Sequence, residues 1–74
     1  MITTSALNTK TGEVYYHNAQ GSCMYICPSK NIHEAVRGSE IAKALKRGFI
    51  TYTDEFETED EFNEFLKDFC MGSE

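Results

Sequence analysis

Glu13-Val14-Tyr15-Tyr16-His17-Asn18-Ala19-Gln20-Gly21-Ser22-Cys23-Met24-Tyr25-Ile26-Cys27-Pro28 is the stretch that decides the fold. Residues 13–17 are rich in β-branched and aromatic side chains, which suit a pleated, half-buried surface, so they read as a strand. Residues 18–21 have turn composition. Residues 22–27 read as the next strand. Pro28 stops it, because proline has no N–H to give to a sheet ladder. Upstream, Thr3-Thr4-Ser5-Ala6-Leu7-Asn8 looks weakly extended. Residues 8–12 form a second turn signal, with Gly12 free to take positive φ. Three short strands joined by tight turns predict a β-meander.

Downstream the pattern changes period. Ser29 or Asn31 can cap a first helical stretch over residues 32–37, with Gly38 suited to its C-terminal end. Ser39 can cap a second stretch over residues 40–47, in which Ile41 and Leu45 share a face at i, i+4, and residues 32–47 read either as two helices or as one kinked helix. Lys46 and Arg47 complement the helix dipole, and Gly48 closes the stretch. Residues 49–53, Phe-Ile-Thr-Tyr-Thr, are a strong strand signal, and residues 54–57 read as a connection. Thr58-x-x-Glu61 matches a capping box. Phe62, Phe65, Leu66 and Phe69 then fall at i, i+3, i+4, i+7, so one apolar stripe predicts a helix that Gly72 ends. The expected fold is α+β: a small, mostly antiparallel sheet in βββ-α-β-α order, with the helices packed on one face.

Seventy-four residues predict one domain with a thin core. A hydrophobic content of 41% and an aromatic content of 12% support a folded core rather than disorder. No run approaches the ~18 apolar residues of a membrane span, and the first residues do not have the pattern of a signal peptide. Cys23, Cys27 and Cys70 make an odd count, which favours reduced thiols and a cytoplasmic location. In one strand, Cys23 and Cys27 would lie roughly 13 Å apart, beyond disulfide reach.

The charge is unevenly spread. Residues 1–53 carry a formal +3 and residues 54–74 carry −8. The acids are Asp54, Glu55, Glu57, Glu59, Asp60, Glu61, Glu64, Asp68 and Glu74, with Lys67 the one base among them. Negative charge in a first helical turn is favourable, which accounts for Glu59, Asp60 and Glu61. It does not account for Asp54, Glu55 and Glu57, nor for Asp68 in the last turns. The spacings Asp60–Glu64 and Glu64–Asp68 place like charges at i, i+4, each costing a few tenths of a kcal/mol. An array that costs stability in a small domain points to a use, namely an anionic surface for a partner. The competing reading is a solvated helix face that aids solubility.

Other chemistry is weakly represented. His17, Cys23, Cys27, His33 and Cys70 lack zinc-knuckle spacing, and no third group stands out to support a Cys–His nucleophile. Residues 54–60 lack the glycine and the ligand spacing of an EF-hand loop. The glycines form no phosphate-binding pattern. No enzyme activity, metal or cofactor is therefore expected. Tyr15, Tyr16 and Tyr25 beside Lys43, Lys46 and Arg47 suggest base stacking, but a net charge of −5 opposes direct nucleic-acid binding. Membrane binding is not expected either.

The segment Asp54 to Asp68, the small size and the lack of a catalytic motif resemble small phage-encoded inhibitors of host DNA-handling proteins, of the DNA-mimic type. Their targets include nucleases, histone-like proteins and the replication sliding clamp. The resemblance implies a cytoplasmic inhibitor, in a bacterial host, that occupies a basic DNA-binding channel of a polymerase, nuclease or clamp. Asp54, Glu55, Glu57, Glu59, Asp60, Glu61, Glu64 and Asp68 would be its partner-binding residues. The basic group Lys43, Lys46 and Arg47 departs from that type and could meet the acids of a second copy in a homodimer. The alternative is a protein-interaction module that uses its sheet edge and its tyrosines, with the acids serving solubility.

Overall fold

The computed structural model describes residues 1–72. Its elements are β1 (Ile2–Asn8), β2 (Glu13–His17), β3 (Cys23–Cys27), a 3-10 turn (Pro28–Lys30), β4 (Ile32–Ala35), α1 (Ser39–Lys46), β5 (Ile50–Thr51), β6 (Glu55–Phe56) and α2 (Glu59–Gly72). The sheet order is β4-β3-β2-β1-β5, with β6 also on β1, and every pairing is antiparallel. The α+β class and the opening meander are as expected. No helix among the described residues is long and apolar enough to cross a membrane.

Residues 32–37 are not helical, contrary to what their composition suggests. After Pro28 stops β3, Asn31 takes φ 55°, ψ 43° and turns the chain back. Asparagine tolerates this left-handed region better than most residues. Ile32–Ala35 then pairs with β3, Ile32 opposite Cys27 and Ala35 opposite Met24. The ladder bonds of an edge strand outweigh a weak local helix preference.

The helices also differ from expectation in placement, since they lie on opposite faces of the sheet. Side chains alternate along a strand, so Val14 and Tyr16 face one way and Tyr15 the other. Val14, Tyr16, Ile2 and Leu7 form one core with Phe62 and Leu66 of α2. Tyr15 and Ala6 form a second with Ala44 of α1 and Phe49. A bulge at Ser5 makes both possible on β1. The register steps from Thr4↔Tyr16 to Ala6↔Tyr15, which lets Ile2 and Leu7 share a face despite their odd separation.

The same bulge divides the expected 49–53 strand. Ile50–Thr51 pairs with Leu7 and Ala6, the chain loops out, and Glu55–Phe56 pairs with Thr3 and Ile2. Residues 54–57, expected as a connection, therefore contain a short strand. In α1 the inward residues are Ala44, fully buried, and Ile41, while Leu45 is exposed rather than sharing the core with Ile41. Gly38, not Ser39, precedes the first turn, and no side chain caps it. The C-terminus is a Schellman turn: Phe49 N–H donates to the Ala44 carbonyl at 3.1 Å and Gly48 N–H to that of Leu45 at 3.4 Å. Gly48 adopts φ 101°, a value L side chains rarely take.

At the start of α2, Glu61 N–H donates to Thr58 Oγ1 at 3.2 Å, the amide half of the expected capping box. The return bond from the Glu61 carboxylate is not made. The expected stop at Gly72 falls at the limit of the described residues.

Candidate functional site

The sequence singled out eight acids, and all eight are solvent-exposed. Asp54 sits where β5 breaks into β6. Its backbone N–H donates to Thr4 Oγ1 at 2.8 Å, and its carboxylate accepts from Glu55 N–H at 2.9 Å and from Tyr52 Oη at 3.3 Å. Glu55 lies on β6 opposite Thr3, at the sheet edge. Glu57 stands between β6 and α2. Glu59, Asp60 and Glu61 occupy the first turn of α2, where the helix dipole favours them. Asp60, Glu64 and Asp68 follow one line along the helix, with about 6 Å of axial rise between neighbours.

Local neutralisation is slight. Lys67 Nζ lies 3.8 Å from Glu64 Oε1, with the two side chains 70% and 72% exposed, so the pair is loose and solvent-screened. Three bases of the first half sit elsewhere. Lys43, Lys46 and Arg47 belong to α1 and its end, on the opposite face of the sheet. Lys43 pairs with Glu40 at 3.6 Å. Arg47 donates to Tyr15 Oη at 3.4 Å and stands 5.7 Å from the Phe49 ring centroid. The acids of α2 thus gather on its side of the sheet, while the α1 side is mixed, with Glu13, Glu34 and Glu40 beside Arg37, Lys43, Lys46 and Arg47.

The acids do not form one patch. Four of them, Glu57, Glu59, Asp60 and Glu64, line two adjoining cavities, one of about 910 Å³ between α2 and the β3–β4 half of the sheet and one of about 440 Å³ between the start of α2, Ile2, Tyr16 and the β2–β3 turn. The cavities share Ile26, His33 and Asn63. Leu66 and Pro28 border the larger, Phe62 and Met24 the smaller. Within the groove, Tyr16 and His33 are hydrogen-bonded from Oη to Nε2. Burial raises the Tyr16 hydroxyl above its ordinary value, with help from the Glu59 charge. Sequence reading missed the groove residues, because nothing local tells that α2 covers only half of the sheet.

The tyrosines do not form the exposed platform that the alternative reading needs. Of the three it names, Tyr15 and Tyr16 are buried, at 5% and 4% exposure, and Tyr25 is half-buried. Tyr15 packs on Tyr25 and Phe49 at centroid distances of 5.0 and 5.6 Å, and Tyr16 on Phe62 at 4.5 Å. Tyr25 Oη donates to Glu13 Oε2 at 2.6 Å. Burial, then this bond to a carboxylate, raises the Tyr25 hydroxyl well above its ordinary value. Burial acts to raise the Glu13 carboxyl, but bonds to the Tyr25 and Thr11 hydroxyls and the charges of Lys30 and Arg47 outweigh it and lower the group.

Cys23 and Cys27 lie at the two ends of β3. Cys27 is buried at the end of β3 beside Ser29, at 3.4 Å. Cys23 is half-buried opposite His17, and burial raises its thiol, which disfavours the nucleophilic thiolate. His17 bonds instead to Ser5, at 3.2 Å. The side chain of Cys70 and residue Glu74 lie outside the described residues. Among the described residues, no three His, Cys, Asp or Glu side chains converge as a metal site. No family model, curated protein or solved structure matches the chain.

Proposed function

We propose that the chain is a binding protein that engages a DNA-handling protein through its acidic side, occupying a basic surface that otherwise holds DNA. The observation that carries this reading is the gathering of exposed acids on α2 and just before it. The exposed acids from Glu57 to Asp68 lie at the start of α2 and along it, Glu55 shares the other face with Thr3, and the bases of α1 are turned away from α2. A partner approaching the α2 side meets a mainly negative field, offset locally by Lys67, and that field accelerates encounter and aligns the complex. The row Asp60, Glu64, Asp68 is sparser than a DNA strand, which carries a phosphate about every 3.4 Å. Glu57, Glu59 and Glu61 broaden the row into a ridge. In this reading the chain acts as an inhibitor, by competition for the DNA site, and does no chemistry of its own.

The test is capture and competition. Tagged protein is immobilised, exposed to bacterial lysate, and washed at low and then high salt. The retained protein should be a DNA-binding protein released by salt and by added duplex DNA. The variant with Glu57, Asp60, Glu61, Glu64 and Asp68 changed to Lys should fail to retain it. Undiminished capture by that variant, or capture that excess DNA does not disturb, would refute the reading. The exposed edge of β4 offers a second mode, strand addition. Capture that survives both salt and charge reversal would favour it.

A further inference from the structure

We infer that the groove beside α2 receives an amphipathic helix of the partner protein, with an apolar stripe and Lys or Arg along one flank. The inference rests on the reading above, that the α2 side engages a basic partner, and it specifies how.

Strands in a sheet are spaced about 4.8 Å apart, and a helix with its side chains is about 10 Å across. One helix therefore covers about two strands. On this face α2 packs over β1 and β2, through Ile2, Leu7, Val14 and Tyr16. By register, β3 and β4 show Met24, Ile26, His33 and Ala35 to the same side. α2 reaches only the near edge of this strip, where Met24 and Ile26 pack against its core, and no element of the described chain covers the rest. Met24 and Ile26 are only half-buried in consequence, and His33 and Ala35 are exposed. Helices pack side by side on a sheet, and the open place beside α2 has that shape.

The flank of α2 that borders the strip sets the occupant's chemistry. Asp60, Asn63, Glu64 and Lys67 stand along it above Leu66, and Glu57 and Glu59 close the end near Phe62. An apolar floor beside a rim that carries four acids, Glu57, Glu59, Asp60 and Glu64, against the one base Lys67 suits a helix whose leucine-like stripe lies on Ile26 and Leu66. Its basic residues would meet Asp60 and Glu64. An acidic or uncharged helix would leave that rim unpaired. A second copy of this chain has no equal claim, because its basic helix α1 turns Ile41 and Ala44 inward to its own core.

The experiment titrates isotope-labelled protein with a designed Leu/Lys amphipathic peptide of about 14 residues, ~21 Å as a helix. Comparison peptides are a scramble of the same composition, whose leucines no longer align, and a Leu/Glu version. The Leu/Lys helix should bind at least about tenfold more tightly than either. The methyl signals of Ile26 and Leu66 should shift. Asn63→Trp, which fills the groove from an exposed helix position, should weaken binding about tenfold while the protein's own spectrum stays folded.

Equal binding of the scramble and indifference to Asn63→Trp would overturn the groove and leave the acidic-surface reading intact. Failure of both basic peptides to bind would overturn both. Equal binding of the Leu/Glu helix would overturn the basic requirement. Shifts confined to the outer backbone of β4 would overturn the helix in favour of an added strand. Sedimentation showing that the chain alone forms a dimer, dissolved by Asn63→Trp, would make the occupant a second copy and overturn the choice made here.

Discussion

Thr4 and Asp54, fifty residues apart, are joined by three hydrogen bonds. Asp54 N–H donates to Thr4 Oγ1 at 2.8 Å, the Thr4 hydroxyl donates to the Asp54 carbonyl at 3.4 Å, and Thr4 N–H donates to the same carbonyl at 3.0 Å. Thr4 is 1% exposed. The clasp closes the gap between β5 and β6 opposite the Ser5 bulge, and so fixes the point from which the acidic segment departs. Thr4→Val keeps the shape and removes the acceptor, leaving the Asp54 amide without its partner. It should cost about 1–3 kcal/mol, and Thr4→Ser much less. Urea denaturation of the three proteins checks this.

Phe62 is 4% exposed and meets Tyr16 at 4.5 Å and Phe56 at 5.6 Å. Phe62→Ala should cost about 3–5 kcal/mol. At roughly 0.05–0.15 kcal/mol per residue, that is a large part of the whole stability of so small a domain. The variant should have lost much of its ellipticity at 25 °C. Phe62→Leu should stay folded, at a cost below about 1.5–2 kcal/mol.

The Tyr25–Glu13 bond predicts a dependence on acid. The Glu13 carboxyl is lowered in the folded protein. A depressed carboxyl contributes stability that is present above its unfolded value, about 4.3, and fades as pH falls through the folded one. Tyr25 has the opposite sense. Its raised hydroxyl favours the protonated form, so its contribution is present below about pH 10 and fades in alkali above that. Tyr25→Phe should flatten both limbs, narrowing the gap from the parent at pH 3 relative to pH 7. Denaturation midpoints from pH 3 to pH 11 measure it.

Asp68 is exposed, follows Glu64 by one turn, and lies in the C-terminal part of α2, where the helix dipole disfavours negative charge. Asp68→Lys replaces a repulsion with an attraction, since the introduced ammonium stands at i, i+4 from the Glu64 carboxylate. It should raise stability by about 0.5 kcal/mol in low salt and less in high salt. The proposed function requires that the same change weaken partner binding. Thermal melts paired with binding assays at two ionic strengths test both halves together. A variant that gains stability and keeps full binding would count for the solubility reading of the acids.

What the sequence reveals depends on how local the cause is. The meander was legible because turns and aromatic strands signal themselves within a few residues. Helix α2 was legible because Thr58 and the Phe62, Phe65, Leu66, Phe69 stripe are contained in one segment. β4 was not, because Ile32-His33-Glu34-Ala35 has no strong preference and becomes a strand only through β3. The Ser5 bulge was hidden too, since it is a relation between β1 and two other segments. With Tyr15 and Tyr16 both aromatic, no polar residue marked a solvent face, and the placing of the helices on both sides of the sheet went unread. The candidate acids were found by composition alone. The groove that four of them line needed the three-dimensional arrangement.

Because a helix lies on each face, β1 and β2 are sandwiched, while β4, β5 and β6 have one free edge or more. Protection against hydrogen exchange should therefore fall away from the centre of the sheet. The amides of Val14, Tyr15 and Leu7 should exchange last, at rates set by global unfolding, and those of Ile32–Ala35 should exchange through small local openings. A ligand that seats itself over β3 and β4 would slow the second group and leave the ranking within the first unchanged. Amide exchange thus reports occupancy of that side of the molecule even where the bound species is unknown.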